Sequence, residues 1–212
     1  MRKAILISIQ PKWCELIASG KKTVEVRKNR PKIDTPFKCY IYCTNNQVFA
    51  QSSMEGEYFT SPKSGLRELE YCGSKILSGK VIGEFICDDI TKFAIDPKYD
   101  NLTLMSMANR SCLSKSQLED YCSDYWLYGW HISDLKIYDK PKELFEFRKP
   151  CICPKMPYCP TCPVGYEYIS ETEEEFYGVD GKCDTEWVCQ NYLKKAPQSW
   201  CYVEESENNA PN

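Results

Sequence analysis

GKKTVEVR, residues Gly20 to Arg27, reads as a tight turn that runs into a β-strand. Val24 and Val26 alternate with Glu25 and Arg27, the period of two that sends valines inward and charges outward. Upstream, Ile5, Ile7 and Ile9 share one face of RKAILISIQ while Ala4 and Leu6 share the other, so this strand is expected to be covered on both sides. Pro11 stands where a helix loses nothing by lacking an N–H, and Trp13, Leu16 and Ile17 follow at helical spacing. Gly20 is the natural stop. The front of the chain is therefore strand, short helix, glycine turn, strand.

Working outward, FKCYIYCT (Phe37–Thr44) is a further strand after a turn spanning Pro31 to Pro36. Residues 45–78 are polar and mixed and read as a long excursion. KVIGEFICDDI (Lys80–Ile90) returns to strand, with Gly83 marking a bulge or a close backbone approach. Ser114 and Gln117 form a capping-box pattern that opens a helix over 114–124. GWHISDLKIY (Gly129–Tyr138) reads as one strand whose apolar phase shifts at Ser133–Asp134 and which Pro141 ends. SWCYVE (Ser199–Glu204) reads as the last strand. Five or six strands with two short helices give an α+β fold, compatible with a small mixed barrel carrying inserts.

A chain of 212 residues has room for such a core plus a large insertion. No apolar run approaches the ~20 residues of a membrane span, and Ala4–Ile9 is too short for a signal core. These features predict a soluble, cytoplasmic protein that does not enter a membrane. The net charge of −3 argues against a generic nucleic-acid coat, but it is unevenly spread. Residues 1–50 carry ten Lys/Arg against Glu15, Glu25 and Asp34, a surplus of +7. Residues 163–212 carry three Lys against eleven acids, a deficit of −8. A basic front end attracts phosphate and an acidic tail repels it.

The order strand, helix, glycine, lysine and then E-x-R resembles the ASCH family, whose hallmark G-x-K-x-x-E-x-R reads here as Gly20, Lys22, Glu25 and Arg27. SIQPKW, YGWHISDL and PQSWCYV also look like members of that family from bacteria and their phages. The resemblance covers roughly 1–44, 79–150 and 196–205. It implies a PUA-like barrel interrupted by two inserts, and RNA or a modified nucleoside as ligand. Glu25 and Arg27, two apart on a strand, share a face. Arg offers planar bidentate recognition and Glu accepts from an exocyclic amine. Lys22 joins them only if the turn after Gly20 carries it round. Ser8, Gln10 and Lys12 are expected neighbours, and Tyr40 and Tyr42 alternate outward on the third strand as candidates for base stacking.

Three functions are compatible with this. The first is an RNA- or nucleotide-binding, regulatory domain. The second is a hydrolase of RNA or a modified nucleoside, with Lys22 and Glu25 catalytic. Some ASCH relatives resemble amidohydrolases that use Lys, Thr and Glu, yet Glu25 stands where their catalytic Thr is, and Thr23 or Ser8 would have to supply the hydroxyl. The third is a phage or plasmid accessory protein that binds a protein partner through a cysteine-rich insert. His131 is the single histidine, so chemistry needing two histidines is excluded.

That insert, 151–195, holds Cys151, Cys153, Cys159, Cys162, Cys183 and Cys189 among the chain's fourteen cysteines. Cys159-Pro-Thr-Cys162 has the spacing that grips a tetrahedral Zn²⁺. Cys153 with Cys183 or Cys189 would close a structural zinc site, supplying folding energy that few aliphatic residues provide. Cys39, Cys43 and Cys87 read instead as small core residues. The expected organisation is a barrel over 1–150 with the excursion 45–78, the insert 151–195, a closing strand in 196–205 and a flexible acidic tail, 206–212.

Overall fold

The computed structural model describes residues 3–150, 166–169, 186–189 and 192–205. Strand β1 (Lys3–Ile9) opens the fold, and helix α1 (Pro11–Ala18) follows directly. After a turn at Gly20, whose φ is +72°, come β2 (Val24–Arg27) and β3 (Phe37–Cys43). As the alternation predicts, Ile5, Ile7 and Ile9 enter one apolar cluster and Ala4 and Leu6 another. Burying each of these large aliphatic side chains stabilises the fold by roughly 1.5–3 kcal/mol. A strand with two buried faces belongs inside a sheet. β1 accordingly pairs in parallel with β3 and antiparallel with the final strand, β13 (Trp200–Glu204).

The excursion over 45–78 is more structured than its composition suggests. β4 (Val48–Gln51), β5 (Tyr58–Ser61) and β6 (Lys75–Ile76) form a separate sheet in the order β5-β4-β6, with helix α2 (Leu66–Tyr71) between the last two. Phe49 and Leu77 are fully buried in the same cluster as Ile17, and Thr60 donates a 2.9 Å hydrogen bond to Glu15 on α1. These few anchoring residues are too sparse to register as a periodic pattern.

β7 (Val81–Cys87) and β8 (Ile90–Ala94) follow, then α3 (Pro97–Ser111), a helix the sequence reading did not expect. Its apolar residues are poorly ordered by period; Leu102 and Met105 are exposed while Leu104 and Met107 are buried. α4 (Lys115–Tyr121) has the capping box seen in sequence, with both reciprocal bonds between Ser114 and Gln117 present. Gly129–Tyr138 is two strands, not one. β9 (Trp126–His131) pairs with β2 and β8, whereas β10 (Ser133–Lys142) pairs with β7 in another sheet. The break falls at Ile132, just before the predicted phase shift at Ser133–Asp134, where β10 slips register against β7 and Asp134 takes a φ of +46°. Pro141 does not end the strand: β10 is an edge strand, and an edge tolerates a missing N–H.

The main sheet has the order β10-β7-β3-β1-β13, beside the smaller β2-β9-β8 sheet. Two further strands, β11 (Tyr166–Ile169) and β12 (Glu186–Cys189), form a ladder of their own. The architecture is α+β, with many more strands than the five or six expected. Among the described residues the ladders are separate sheets and do not close into a ring. At Gly83, a Cβ would collide with the Lys136 carbonyl oxygen, which is the close approach expected there. Tyr40 corrects another expectation: it is fully buried, edge-on to Phe147 at 4.9 Å, and Tyr42 packs half-buried against the same cluster. Cys151, Cys153, Cys159, Cys162 and Cys183 lie outside the described residues, as do the side chain of Cys189 and the tail 206–212. Within the described residues no helix is long and apolar enough to cross a membrane.

Candidate functional site

The turn after α1 settles where Lys22 goes. Gly20 reverses the chain, Lys22 N–H donates to the Leu16 carbonyl (2.9 Å) and Thr23 N–H to the Arg110 carbonyl (2.9 Å). β2 begins only at Val24, so Lys22 is not bound by strand alternation and swings to the side of Glu25 and Arg27. Its ammonium lies 3.2 Å from Glu25 Oε2, donates to the Ser111 carbonyl at 2.8 Å and sits 5.4 Å from the centre of the Trp13 ring. The other Glu25 oxygen is 3.0 Å from Arg27 Nη2. The same Nη2 donates to the Ser8 carbonyl at 2.7 Å, and Nη1 donates to Ser199 Oγ at 3.2 Å.

Glu25 and Arg27 are expected to face outward from β2, yet all three charged residues are buried: Lys22 is 2% exposed, Glu25 and Arg27 each 7%. Three buried charges cost too much desolvation to persist unpaired, and the arrangement answers that cost with bonds. Both carboxylate oxygens of Glu25 bridge cations, and each cation also reaches a backbone carbonyl. Val24 and Val26 do turn the other way, into the cluster of Phe93, Leu104, Met107, Leu118 and Leu127.

The charged residues line a cleft of about 550 Å³. β1 and the start of α1 contribute Ser8, Ile9, Gln10 and Trp13; the end of β3 and the loop after it contribute Thr44 and Asn46. Leu113, Gln117 and Tyr121 come from α4 and its approach, and Gln198 and Ser199 come from the segment before β13. Ser8 Oγ donates to the Pro197 carbonyl at 2.6 Å, and Ser8 N–H bonds the Ser199 carbonyl at 2.9 Å. Four amide side chains and two aromatics therefore surround a core that carries its own counter-charge.

The sequence reading brings Lys22, Glu25, Arg27, Ser8 and Gln10 to one place. Lys12 is not part of the lining: it is exposed, its ammonium 4.8 Å from the centre of the Trp13 ring. Thr23 does not line the cleft, and the Ser8 hydroxyl is already committed to Pro197. His131 lies elsewhere, 2.6 Å from Asp88 at the β7–β8 corner. Trp13, Asn46, Gln117, Tyr121, Gln198 and Ser199 were missed. The capping box reveals the helix that carries Gln117 and Tyr121, but nothing in the sequence says which wall that helix forms.

Burial pushes the Tyr121 phenol up from its ordinary value, with Arg27 pulling the other way, so the phenol enters the cleft neutral at pH 7. The buried Cys14 thiol is pushed well up by desolvation and by Cys43, and Cys39 by desolvation and Cys87. Neutral buried thiols are poor nucleophiles. Among the described residues no three His, Cys, Asp or Glu side chains gather into a metal-binding group.

A family profile described as the ASCH domain matches residues 7–38, the segment that holds Ser8, Trp13, Lys22, Glu25 and Arg27. Among solved structures the chain is similar to ASCH from Zymomonas mobilis, at 21% identity over 66% of this chain and 73% of that one, with a TM-score of 0.44. A tyrosine-to-phenylalanine mutant of that protein aligns at 24% identity over 68% and 77%, with a TM-score of 0.44. A serine-to-alanine mutant aligns at 25% over 68% and 75%, again at 0.44. The curated proteins contain no match.

Proposed function

We propose, from the premise that residues 7–38 carry the ASCH domain signature, that this chain binds RNA or a nucleotide in the cleft lined by Lys22, Glu25 and Arg27. The observation that carries the reading is the convergence of a fixed, internally paired charge network with a rim of amides and aromatics. Gln10, Asn46, Gln117 and Gln198 each offer donors and acceptors together, the pairing that base edges present. Trp13 and Tyr121 supply flat walls suited to a heterocycle.

Binding is favoured over hydrolysis because the two residues that would catalyse are already engaged. Glu25 has a cation on each oxygen, and Lys22 gives two of its three N–H donors to Glu25 and Ser111, so the pair is held as fixed, stabilised ions, which disfavours proton transfer by either. Titration of wild type with a short single-stranded RNA and with free nucleosides tests the reading, alongside Gln117→Ala and Lys22→Ala. Gln117→Ala leaves the charge network whole and is expected to weaken binding roughly fivefold, the loss of one hydrogen bond worth about 1 kcal/mol. Products formed by wild type and absent with Lys22→Ala would move the assignment to a hydrolase.

A further inference from the structure

The two cations of the cleft share one carboxylate, so it keeps a formal charge of only +1, and both cations are already engaged with Glu25. The cations immediately outside it are in a different state. Lys12 stands over Trp13 at 4.8 Å and Lys28 over Tyr121 at 5.1 Å, so each aromatic wall carries an exposed ammonium. Beyond Lys28 the β2–β3 connection reads Asn29, Arg30, Pro31, Lys32, with Arg30 and Lys32 exposed and no acid before Asp34. None of Lys12, Lys28, Arg30 and Lys32 forms an ion pair with any described residue. The connection is not free to drift: Lys32 N–H donates to the Tyr202 hydroxyl at 2.7 Å.

We propose that Lys28, Arg30 and Lys32, with Lys12 across the mouth, form a phosphate track, so that a single-stranded RNA with one internal nucleotide in the cleft binds more tightly than a free nucleoside, which meets the cleft alone. The proposal rests on the cleft's being a nucleotide site and adds where the chain enters and leaves it. Base recognition and phosphate recognition are divided in space. The paired interior reads a neutral edge, and the unpaired exterior reads charge. Unpaired exposed cations release counterions when they meet phosphates, which gives such a track a distinct salt signature.

The test is a titration of wild type with a short single-stranded RNA across a fourfold range of salt. At ~0.7 of log–log slope per phosphate on single strands, four contacts give a slope near 3 and about a fiftyfold loss of affinity over that range. A triple variant (Lys28→Ala, Arg30→Ala, Lys32→Ala) should fall to a slope below about 1 and a loss of roughly threefold. A charge-keeping triple variant (Lys28→Arg, Arg30→Lys, Lys32→Arg) should retain the wild-type slope. Free nucleoside should bind wild type and the alanine variant alike, with no dependence on salt. An unchanged slope in the alanine variant overturns the track while leaving the cleft's assignment standing. So does a wild-type slope below about 1, which needs no variant at all. Binding to anionic lipid vesicles in place of RNA overturns it too. Failure of wild type to bind either RNA or nucleoside removes the nucleotide reading itself, and the track with it.

Discussion

Two clusters of lysine and glutamate lie in this fold, and they are built to different standards. In the cleft, Lys22, Glu25 and Arg27 are nearly sealed from solvent and sit 3.0–3.2 Å apart, with the Ser8 and Ser111 carbonyls and Ser199 Oγ taking further donors while the buried Arg27 Nε has no hydrogen-bond partner among the described residues. Where β3 meets β7, Lys38 lies 3.5 Å from Glu84 and 3.6 Å from Glu205, with its side chain 16% exposed and that of Glu205 27% exposed. Glu84 also accepts from the Tyr138 hydroxyl at 2.5 Å. The first cluster has fixed geometry and little water to rescue a lost partner. The second has looser distances and solvent at hand. Their residue types hardly differ, so burial sets the contrast: the cleft cluster holds a rigid charge pattern, whereas the other keeps partial access to solvent.

The largest effect is expected from Glu25→Gln. It leaves two buried cations facing each other without a counter-charge and should cost about 3–5 kcal/mol in urea unfolding. Lys22→Met comes next. Glu25 keeps Arg27, but the buried Ser111 carbonyl loses its donor, and a loss of about 2–3 kcal/mol is expected. Glu84→Gln, the matching change in the open cluster, should cost only about 1 kcal/mol, since solvent reaches Lys38. A loss equal to that of Glu25→Gln would erase the distinction between the clusters.

Alkaline titration sharpens the contrast by its sign. Desolvation lowers the Lys38 pKa, but Tyr40, Glu84 and Glu205 outweigh it and leave it raised. A raised lysine contributes stability that is complete below its unfolded pKa, about 10.4, and lost as pH climbs through the folded value. Stability measured from pH 8 to 11 should therefore decline less in Lys38→Met than in wild type near the top of that range. The smallest change is expected from salt: about 1 M NaCl should diminish the Lys38 contribution and barely alter the cost of Glu25→Gln.

The sequence made β1, α1, β2, β3, β13 and the α4 capping box legible because each depends on local chemistry: alternation, a proline at a helix start, a glycine stop. It also marked an irregularity at Ser133–Asp134, next to the break at Ile132, though the two sides of that break belong to different sheets, which only long-range pairing decides. α3 was hidden because its exposed face carries Leu102 and Met105, and apolar residues on both sides erase the helical period. Glu25 and Arg27 were placed on one face correctly but as outward charges. Their burial comes from Tyr121, far along the chain, and from Ser199, another 78 residues on. Gln117 and Gln198 carry no local mark at all.

The serine pair that closes the cleft has a consequence for how the molecule is made. Ser8 binds Pro197 and Ser199, and Arg27 reaches Ser199 across 172 positions of chain. A polypeptide growing from its N-terminus emerges with Gly20–Arg27 long before its partner segment exists. Until residue 199 clears the ribosome, Arg27 lacks one of its bonds and the cleft lacks a wall, so a nascent chain has no finished pocket. Contacts this distant form late. A finished cleft is thus itself a signal that synthesis has passed residue 199.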